Sequence, residues 1–356
     1  MTADPSSGGR DPLLREPRSD AQARDAGARM FDGRRRRRGR GEDVMVPPAE
    51  FQSYYGRPVL KPPVWEWKIA AYLFTGGLSA GSAVLGAGAD VTGRPALRRV
   101  GWLSALVNLL ASTYLLVSDL GRPERFHHML RVAKPTSPMS VGTWVLAAYG
   151  PGAGIAAIRE LVPNRLARTP LGRVLDLTAT PAGLSAAAMA PAVASYTAVL
   201  LSQTAAPAWH EARRELPFVF TGSAAASAGG LAMALVPVAE AGPARGLAAY
   251  GALQELAASR LLEHRLGPVI SEAYRTGEAH RLRRMSELLT AAGLAGTVLG
   301  ARRHRGVAMA SGVALLVGSV LQRFGVFEAG VASTKDPRYV VLPQRARRSS
   351  GGHPGA

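Results

Sequence analysis

The sequence contains no cysteine, and this absence excludes several kinds of site at once. Iron–sulfur clusters and thiolate metal centres need cysteine ligands, and disulfides need pairs of cysteines. If this protein handles electrons, another subunit must therefore hold any iron–sulfur cluster. We expect no metal site in this protein.

Histidine is scarce, and none lies in the middle of an apolar segment. All seven histidines fall in loops, in tails or at the ends of such segments: His127, His128, His210, His264, His280, His304 and His353. A membrane b-type haem normally needs two axial ligands that project inward from spanning helices. The sequence offers no such pair, so it disfavours a haem-binding, cytochrome b-type subunit.

Charged side chains are missing from five long apolar stretches. These are residues 69–89, 100–118, 135–158, 177–209 and 216–239. A helix needs about 20 consecutive apolar residues to cross the hydrocarbon core of a bilayer, and each stretch is long enough. They predict five membrane-spanning helices.

Three weaker apolar segments follow, and they raise the predicted number of spans. The first, 246–262, carries Glu255 and Arg260; the others are 288–301 and 306–322. With them the sequence predicts an all-α polytopic membrane protein, a bundle of about eight transmembrane helices. The step from Gly77 to Gly81 in the first span predicts a close approach of two helix backbones.

The charge of the protein is concentrated outside these segments. The formal net charge is +18, and residues 1–63 mix many charges with Pro, Gly and Ser, a composition that predicts disorder. The run Arg34–Arg38 could contact phosphates, but no aromatic residues interleave with it, so we expect no nucleic-acid partner. We divide the protein into an N-terminal tail (1–63), a transmembrane domain (64–325) and a C-terminal tail (326–356).

The orientation in the membrane depends on the tails. An even number of spans places both termini on one side, and the short loops on the two sides carry equal numbers of basic residues. Both tails are basic, and basic segments favour the cytoplasm. We therefore expect a multi-pass protein of the cell membrane, in contact with the lipid bilayer, whose termini are cytoplasmic.

The loop after the second span, residues 118–140, is the most distinctive part of the sequence. Pro123 suits the first turn of a short helix, and apolar residues recur on one face of that helix. This pattern is typical of a helix that lies on the membrane surface. Asp119, at the membrane edge, is placed to pair with Arg122 or Arg125.

Three passages of the sequence together resemble the NrfD/PsrC family, which contains the membrane subunit of polysulfide reductase and of related oxidoreductases. They are residues 65–82 (WEWKIAAYLFTGGLSAGS), 118–144 (SDLGRP through KPTSPMSVGTW) and 323–337. The middle passage is long and unusual, and it gives the resemblance its specificity. The resemblance extends over about residues 60–345.

The resemblance implies an integral subunit that holds neither haem nor an iron–sulfur cluster and that binds menaquinone or another quinone. It would pass electrons between the quinone pool and a ferredoxin-like iron–sulfur subunit, itself attached to a molybdopterin catalytic subunit, as in complexes that reduce polysulfide or oxidise formate. The protein would then be a non-catalytic or quinone-site subunit. A secondary transporter and a purely structural membrane anchor are the alternatives.

The resemblance also implies a quinone site near the start of the first span. In this sequence that region offers Trp65, Glu66, Trp67 and Tyr72. The Glu66 carboxyl could donate to or accept a hydrogen bond from a quinone oxygen and carry its proton. The other interpretation of Glu66 is an interface anchor, since Trp is common at that depth.

The distinctive loop supplies further candidates. Asp119 and Arg122 would shape the loop on the quinone side of the membrane. His127 would relay protons there, or it would be a solvated surface residue.

The sixth apolar segment supplies the remaining candidates. Glu255 and Arg260 would form a proton path, because charges within a span usually face the bundle interior. Either residue could pair with another helix, for example through Asp176 or Glu240. Alternatively, Arg260 extends to the surface from a tilted helix.

Overall fold

The computed structural model describes residues 59–350, and over this range the protein forms helices and loops without any strand. The predicted tail 1–63 therefore lies outside the described residues except for its last part. Eight long helices form the bundle: α1 (Trp67–Val91), α2 (Pro95–Ser118), α3 (Pro138–Leu161), α4 (Pro170–Ser202), α5 (Leu216–Leu235), α6 (Gly242–Arg265), α7 (Gly277–Leu299) and α8 (Arg305–Lys335).

Shorter helices fill the connections. A 3₁₀ helix occupies the distinctive loop, and four short α-helices flank the bundle: Pro123–Leu130 (3₁₀), then Asn164–Ala167, Pro207–Glu211, Gly267–Arg275 and Arg338–Ser350. A helix was expected in the loop, and it takes the tighter 3₁₀ form with no buried residue.

Proline and hydroxyl side chains fix where several helices begin. Proline occupies the first helical position of α2, α3 and α4, where its missing N–H leaves no hydrogen bond unmade. Ser137 Oγ accepts a hydrogen bond from the backbone N–H of Ser140, and Thr169 Oγ1 accepts one from that of Gly172. These are N-caps of α3 and α4, typically worth about 1 kcal/mol each.

Six of the eight long helices, namely α1 to α5 and α8, are long and apolar enough to cross a membrane. The all-α polytopic membrane fold predicted from the sequence is thereby confirmed. α6 and α7 have sufficient length but carry more charge, particularly where α6 ends and α7 begins. That these two also cross the bilayer, giving eight spans, stays a prediction.

The helices form two four-helix halves that are built alike. α1 packs on α2 and α4, and α3 packs on α4; in the same way α5 packs on α6 and α8, and α7 on α8. α1 and α5 join the halves at small residues. A Cβ added at Gly81 would lie 2.5 Å from Ala224 O and 2.7 Å from Ala228 Cβ, so the close approach predicted at Gly81 is confirmed.

Neighbouring helices joined by short loops run antiparallel, which defines two ends of the bundle. We call them the Trp67 end, where α1 begins, and the Val91 end, where α1 ends. The odd-numbered helices begin, and the even-numbered helices end, at the Trp67 end. The distinctive loop therefore lies at the Trp67 end.

A compact ion network holds the first half together at the Val91 end. Arg159 Nη2 lies 2.9 Å from Asp90 Oδ1, and Arg98 Nε lies 2.7 Å from Glu160 Oε1. Thr180 Oγ1 donates to Asp90 Oδ2 at 2.8 Å and accepts from Arg159 Nη1 at 3.0 Å. The network thus connects α1, α2, α3 and α4 through mutually compensating charges.

Candidate functional site

A narrow cavity lies within the first four helices, close to the Trp67 end. Its volume is about 10 Å³, which is room for about one water molecule, and it is partly open. We call it the hydroxyl cavity. All four helices of the first half contribute to its lining: Tyr72, Gly76, Ser112, Gly142, Val145, Leu146, Val193, Tyr196 and Thr197.

The cavity takes its name from hydroxyl groups that lack protein partners. Ser112 is only 1% exposed, and its Oγ atom is buried without a hydrogen-bond partner. Among the residues that the structure describes, the hydroxyls of Tyr72 and Thr197 also have none. Since buried polar groups are normally hydrogen-bonded, these hydroxyls can bind an ordered water molecule or an acceptor oxygen of a ligand.

The fourth hydroxyl of the cavity is held in place by the backbone. Tyr196 Oη donates to Pro138 O at 2.6 Å, so the ring is fixed across the start of α3. A Cβ added at Gly142 would overlap the Tyr196 ring. The absence of a side chain at Gly142 therefore lets Tyr196 form one wall of the cavity.

Of the four residues predicted to bind quinone, Tyr72 lines the hydroxyl cavity and the other three lie elsewhere. The indole of Trp65 stacks on Trp209 at 5.9 Å between ring centroids, against the second half of the bundle. Trp67 is 60% exposed. The Glu66 side chain is 63% exposed, and its Oε2 lies 3.7 Å from Lys68 Nζ.

The quinone-side loop lies at the surface of the Trp67 end. Burial and the neighbouring Glu66 carboxylate raise the pKa of Asp119, against the opposing effect of Lys68. Arg122 and His127 are exposed. The expected pairing of Asp119 with Arg122 or Arg125 is absent from the described residues, since Lys68 is the cation that faces Asp119.

Glu255 and Arg323 are the most deeply buried charged residues of the second half among the described residues. Glu255 is 2% exposed and Arg323 is 1% exposed. Thr290 Oγ1 donates to Glu255 Oε1 at 3.2 Å. Arg323 Nη2 donates to Phe220 O at 2.7 Å, and the guanidinium lies 3.8 Å above the centroid of the Phe220 ring.

These two charges face each other without a direct ion pair, and much of their hydrogen-bonding capacity is unused. Glu255 Oε2, Arg323 Nε and Nη1, and Ser223 Oγ are all buried and have no partner among the described residues. Groups of this kind are normally satisfied by ordered water when the protein does not supply partners. We call Glu255, Arg323, Ser223 and Thr290 the buried charge cluster.

A second cavity of about 20 Å³, which we call the crevice, lies between α6, α7 and α8 and is lined both by the buried Glu255 and by the exposed Arg260. Arg283 Nη2 lies 2.6 Å from Glu263 Oε1 along it. At its outer side Arg260 Nη2 lies 3.0 Å from Glu287 Oε1. The crevice therefore joins Glu255 and Arg260, the two residues that the sequence grouped together.

The partner of Arg260 is neither Asp176 nor Glu240, the two acids that the sequence suggested. Arg260 pairs with Glu287 on α7, and its side chain is 77% exposed. Glu240 has another role: its Oε2 accepts hydrogen bonds from the backbone N–H groups of Ala96 and Leu97, at 2.8 and 3.3 Å. It thus caps the start of α2.

Sequence reasoning missed Ser112, Tyr196, Thr197 and Arg323 as site residues. Among the described residues no group of three or more His, Asp or Glu side chains is placed to hold a metal ion. The site consists instead of hydroxyl donors in one half of the bundle and a buried charge cluster in the other.

Comparison with known proteins places this sequence in a family. A family model described as polysulphide reductase, NrfD, matches residues 58–256, more than half of the sequence. The C chain of polysulfide reductase from Wolinella succinogenes is 30% identical over 151 residues, which are 39% of this protein and 48% of that one. The alignment thus spans about half the length of that curated relative. From the extent of the family match, the protein belongs to the NrfD polysulphide reductase family.

Proposed function

We propose that this protein is the haem-free, quinone-reactive membrane subunit of a reductase complex. The observation that supports this most directly is the hydroxyl cavity, where Ser112 Oγ is buried without a partner among the described residues and the hydroxyl residues Tyr72 and Thr197 line the same space. Membership of the NrfD family supports the assignment to a reductase complex, as does the similarity to a protein named as the C chain of polysulfide reductase.

The hydrogen-bonding groups of the cavity suit the oxygens of a quinone. Its free space of about 10 Å³ holds one water molecule, so a quinone head would enter only when the lining side chains move apart. Quinone oxygens are hydrogen-bond acceptors, and the hydroxyls of Ser112, Tyr72 and Thr197 can donate to them. Val145 and Val193 supply apolar surface for the ring. Menaquinone or another membrane quinone is the proposed ligand.

The complex we propose contains an iron–sulfur subunit and a molybdopterin catalytic subunit. Electrons pass between the iron–sulfur subunit and the quinone, while this protein binds and orients the quinone. The iron–sulfur subunit would dock at the Trp67 end, because the hydroxyl cavity lies close to that end. We place the protein in the cell membrane with cytoplasmic termini.

Two routes are proposed for protons. One passes the loop at the Trp67 end, where Asp119, Arg122 and His127 lie near the surface. The other passes through the crevice, from the exposed Arg260 to the buried Glu255. Support for the second route comes from the cost of burying charge in a membrane protein, which is seldom incurred without function.

Binding measurements with matched variants test the quinone site. We expect Tyr72→Phe, Ser112→Ala and Thr197→Val each to weaken binding of an alkylated naphthoquinone by roughly 3- to 10-fold, since each removes one hydrogen bond to the ligand. Glu66→Gln is the matched control and should leave the dissociation constant unchanged, because its side chain points to solvent. The dissociation constants can be measured by calorimetry on the purified complex.

The opposite pattern would contradict the proposed cavity. If Glu66→Gln weakens binding while the three hydroxyl variants do not, the quinone lies at the mouth of the first helix beside Trp65 and Trp67. If the unaltered protein binds no naphthoquinone, it is a structural anchor.

A further inference from the structure

A groove lies on the outside of the bundle near the Val91 end, between α1 and α6. Its volume is about 400 Å³, much larger than that of the hydroxyl cavity or the crevice. A Cβ added at Gly88 of α1 or at Gly246 of α6 would meet no atom within 4 Å, so the two helices stand apart here. We call it the outer groove. Its lining consists of Val84, Leu85, Gly88, Pro243, Gly246, Leu247 and Tyr250.

The outer groove faces the bilayer. One of its walls is α1, which is long and apolar enough to cross a membrane, and Val84 of this wall is exposed. Six of the seven lining residues carry no polar side-chain group. Because the bilayer core holds no water, hydrocarbon fills an apolar groove at this depth. The exception is Tyr250, which is 63% exposed and offers a hydroxyl that can donate and accept hydrogen bonds.

The dimensions of the outer groove suit a flexible chain better than a transmembrane helix. Pro243 and Tyr250 both line it and are seven residues apart on α6, which is about 10 Å along the helix axis. A volume of about 400 Å³ over this length gives a mean cross-section of about 40 Å². A helix with its side chains is at least 10 Å wide and needs about twice that cross-section. An acyl chain is thinner and adapts its shape.

Cations without acidic partners lie beside the surface end of the outer groove. Glu240, in the loop before α6, accepts hydrogen bonds from the backbone N–H groups of Ala96 and Leu97, so α2 and α6 begin side by side. Arg94 is the N-cap residue of α2 and Arg99 lies in its second turn, and neither forms an ion pair among the described residues. The ion network at the Val91 end contains as many carboxylates as guanidinium groups. Two arginines against one further carboxylate leave this region positively charged.

We propose that the outer groove binds an anionic phospholipid. An acyl chain of the lipid lies between Gly88 and Gly246, and the phosphate of its headgroup contacts Arg94 and Arg99. The Tyr250 hydroxyl donates to an ester oxygen of the same lipid, a contact that suits the frequent position of tyrosine near the membrane surface. This inference is independent of the quinone site.

Native mass spectrometry of the purified and delipidated complex in detergent measures this binding. The two lipids to compare are phosphatidylglycerol, which is anionic, and phosphatidylcholine with the same acyl chains, which is zwitterionic. We expect one phosphatidylglycerol to bind more tightly than phosphatidylcholine to each copy of the protein. A basic residue near an anionic lipid contributes about 1 kcal/mol, which corresponds to about a fivefold change in affinity.

Charge variants test the headgroup contact. Arg94→Gln and Arg99→Gln should each weaken phosphatidylglycerol binding about fivefold and leave phosphatidylcholine binding unchanged. The matched control is Arg168→Gln, since Arg168 is also exposed at the Val91 end but lies in the connection between α3 and α4. It should leave the affinity for both lipids unchanged.

A second set of variants tests the acyl-chain contact. Gly88→Phe fills the groove and should abolish the tight binding of one phosphatidylglycerol. The control is Gly154→Phe: a Cβ at Gly154 also meets no atom within 4 Å, and this position lies at the same end of the bundle on α3, outside the groove. Should Gly88→Phe fail to assemble, Gly246→Phe fills the groove from its opposite wall.

Three results would overturn the inference. The first is equal affinity of the unaltered protein for the two lipids. The second is tight phosphatidylglycerol binding that persists in both Gly88→Phe and Gly246→Phe. The third is a dimer of this protein that dissociates in Gly88→Phe while lipid binding is unchanged, because the groove would then be an interface between two copies.

Discussion

Gly142 and Gly154 both lie on α3, in very different surroundings. A Cβ at Gly142 would overlap the Tyr196 ring, whereas a Cβ at Gly154 would meet no atom within 4 Å. We expect Gly142→Ala to lower the free energy of unfolding by about 1–3 kcal/mol, as overpacking does, and to weaken naphthoquinone binding. Gly154→Ala should be neutral or slightly stabilising. Thermal unfolding and ligand titration check both variants, and equal behaviour of the two would argue against Tyr196 as a wall of the cavity.

The candidate site residues that could be predicted from the sequence are rare residue types at their positions, whereas those that could not be predicted are common ones. Glu255 stood out because a carboxylate in an apolar run is costly and therefore rare. Ser112 and Thr197 did not, since hydroxyl residues are common in spanning helices and normally bond to their own backbone. Arg323 lies just beyond the apolar segment 306–322, where the sequence indicates a helix end. Only the length of α8, which continues to Lys335, places Arg323 inside the bundle.

At the Val91 end, ion pairs between side chains connect the helices of the first half in addition to apolar packing. Arg159 is only 11% exposed and contacts both Asp90 and Glu160. Arg159→Met would leave two largely buried carboxylates with Arg98 as their remaining cation. Breaking buried pairs typically costs about 3–5 kcal/mol, and we expect about 3 kcal/mol here because Arg98 remains. Denaturant or thermal unfolding of the purified protein measures this loss.

The matched control is Arg260→Met, which removes an arginine from an exposed pair. The Arg260 side chain is 77% exposed and Glu287 is 49% exposed, so solvent screens their interaction. Exposed pairs contribute about 0–1 kcal/mol, and the control should unfold almost as the unaltered protein does. If both substitutions destabilise the protein equally, the Val91-end network does not hold the first half together.

At the level of elements, apolar length predicted the helices and turn residues predicted their ends. The five charge-free stretches correspond to α1 to α5, and proline marks the start of several helices. The placement of α6 and α7 against the rest could not be predicted in this way. Their charges pair with one another across the crevice, as in Glu263–Arg283 and Arg260–Glu287, and such pairing between helices is not encoded in the local pattern.

At the scale of the whole molecule, the prediction that α6 and α7 cross the membrane can be tested because the sequence has no cysteine. Single cysteines can be introduced in loops and labelled without background by a maleimide that cannot cross membranes. Thr92 follows α1 at the Val91 end, and Ala205 follows α4 at the Trp67 end. Thr276 lies between the short helix Gly267–Arg275 and α7, and all three positions are exposed.

With eight spans and cytoplasmic termini, Thr92→Cys should react in intact cells, while Ala205→Cys and Thr276→Cys should react only in inside-out vesicles. The reason is that α6 and α7, at about 1.5 Å per residue, are long enough to carry Thr276 back to the Trp67 end.

If Thr276→Cys reacts from the same side as Thr92→Cys, α6 and α7 form a hairpin that does not cross and the protein has six spans. The crevice and Glu255 would then open to the opposite aqueous compartment, and the proton reaching Glu255 would come from that side. Labelling of Ala205→Cys in intact cells would instead show that the orientation is inverted, with the hydroxyl cavity near the outer surface.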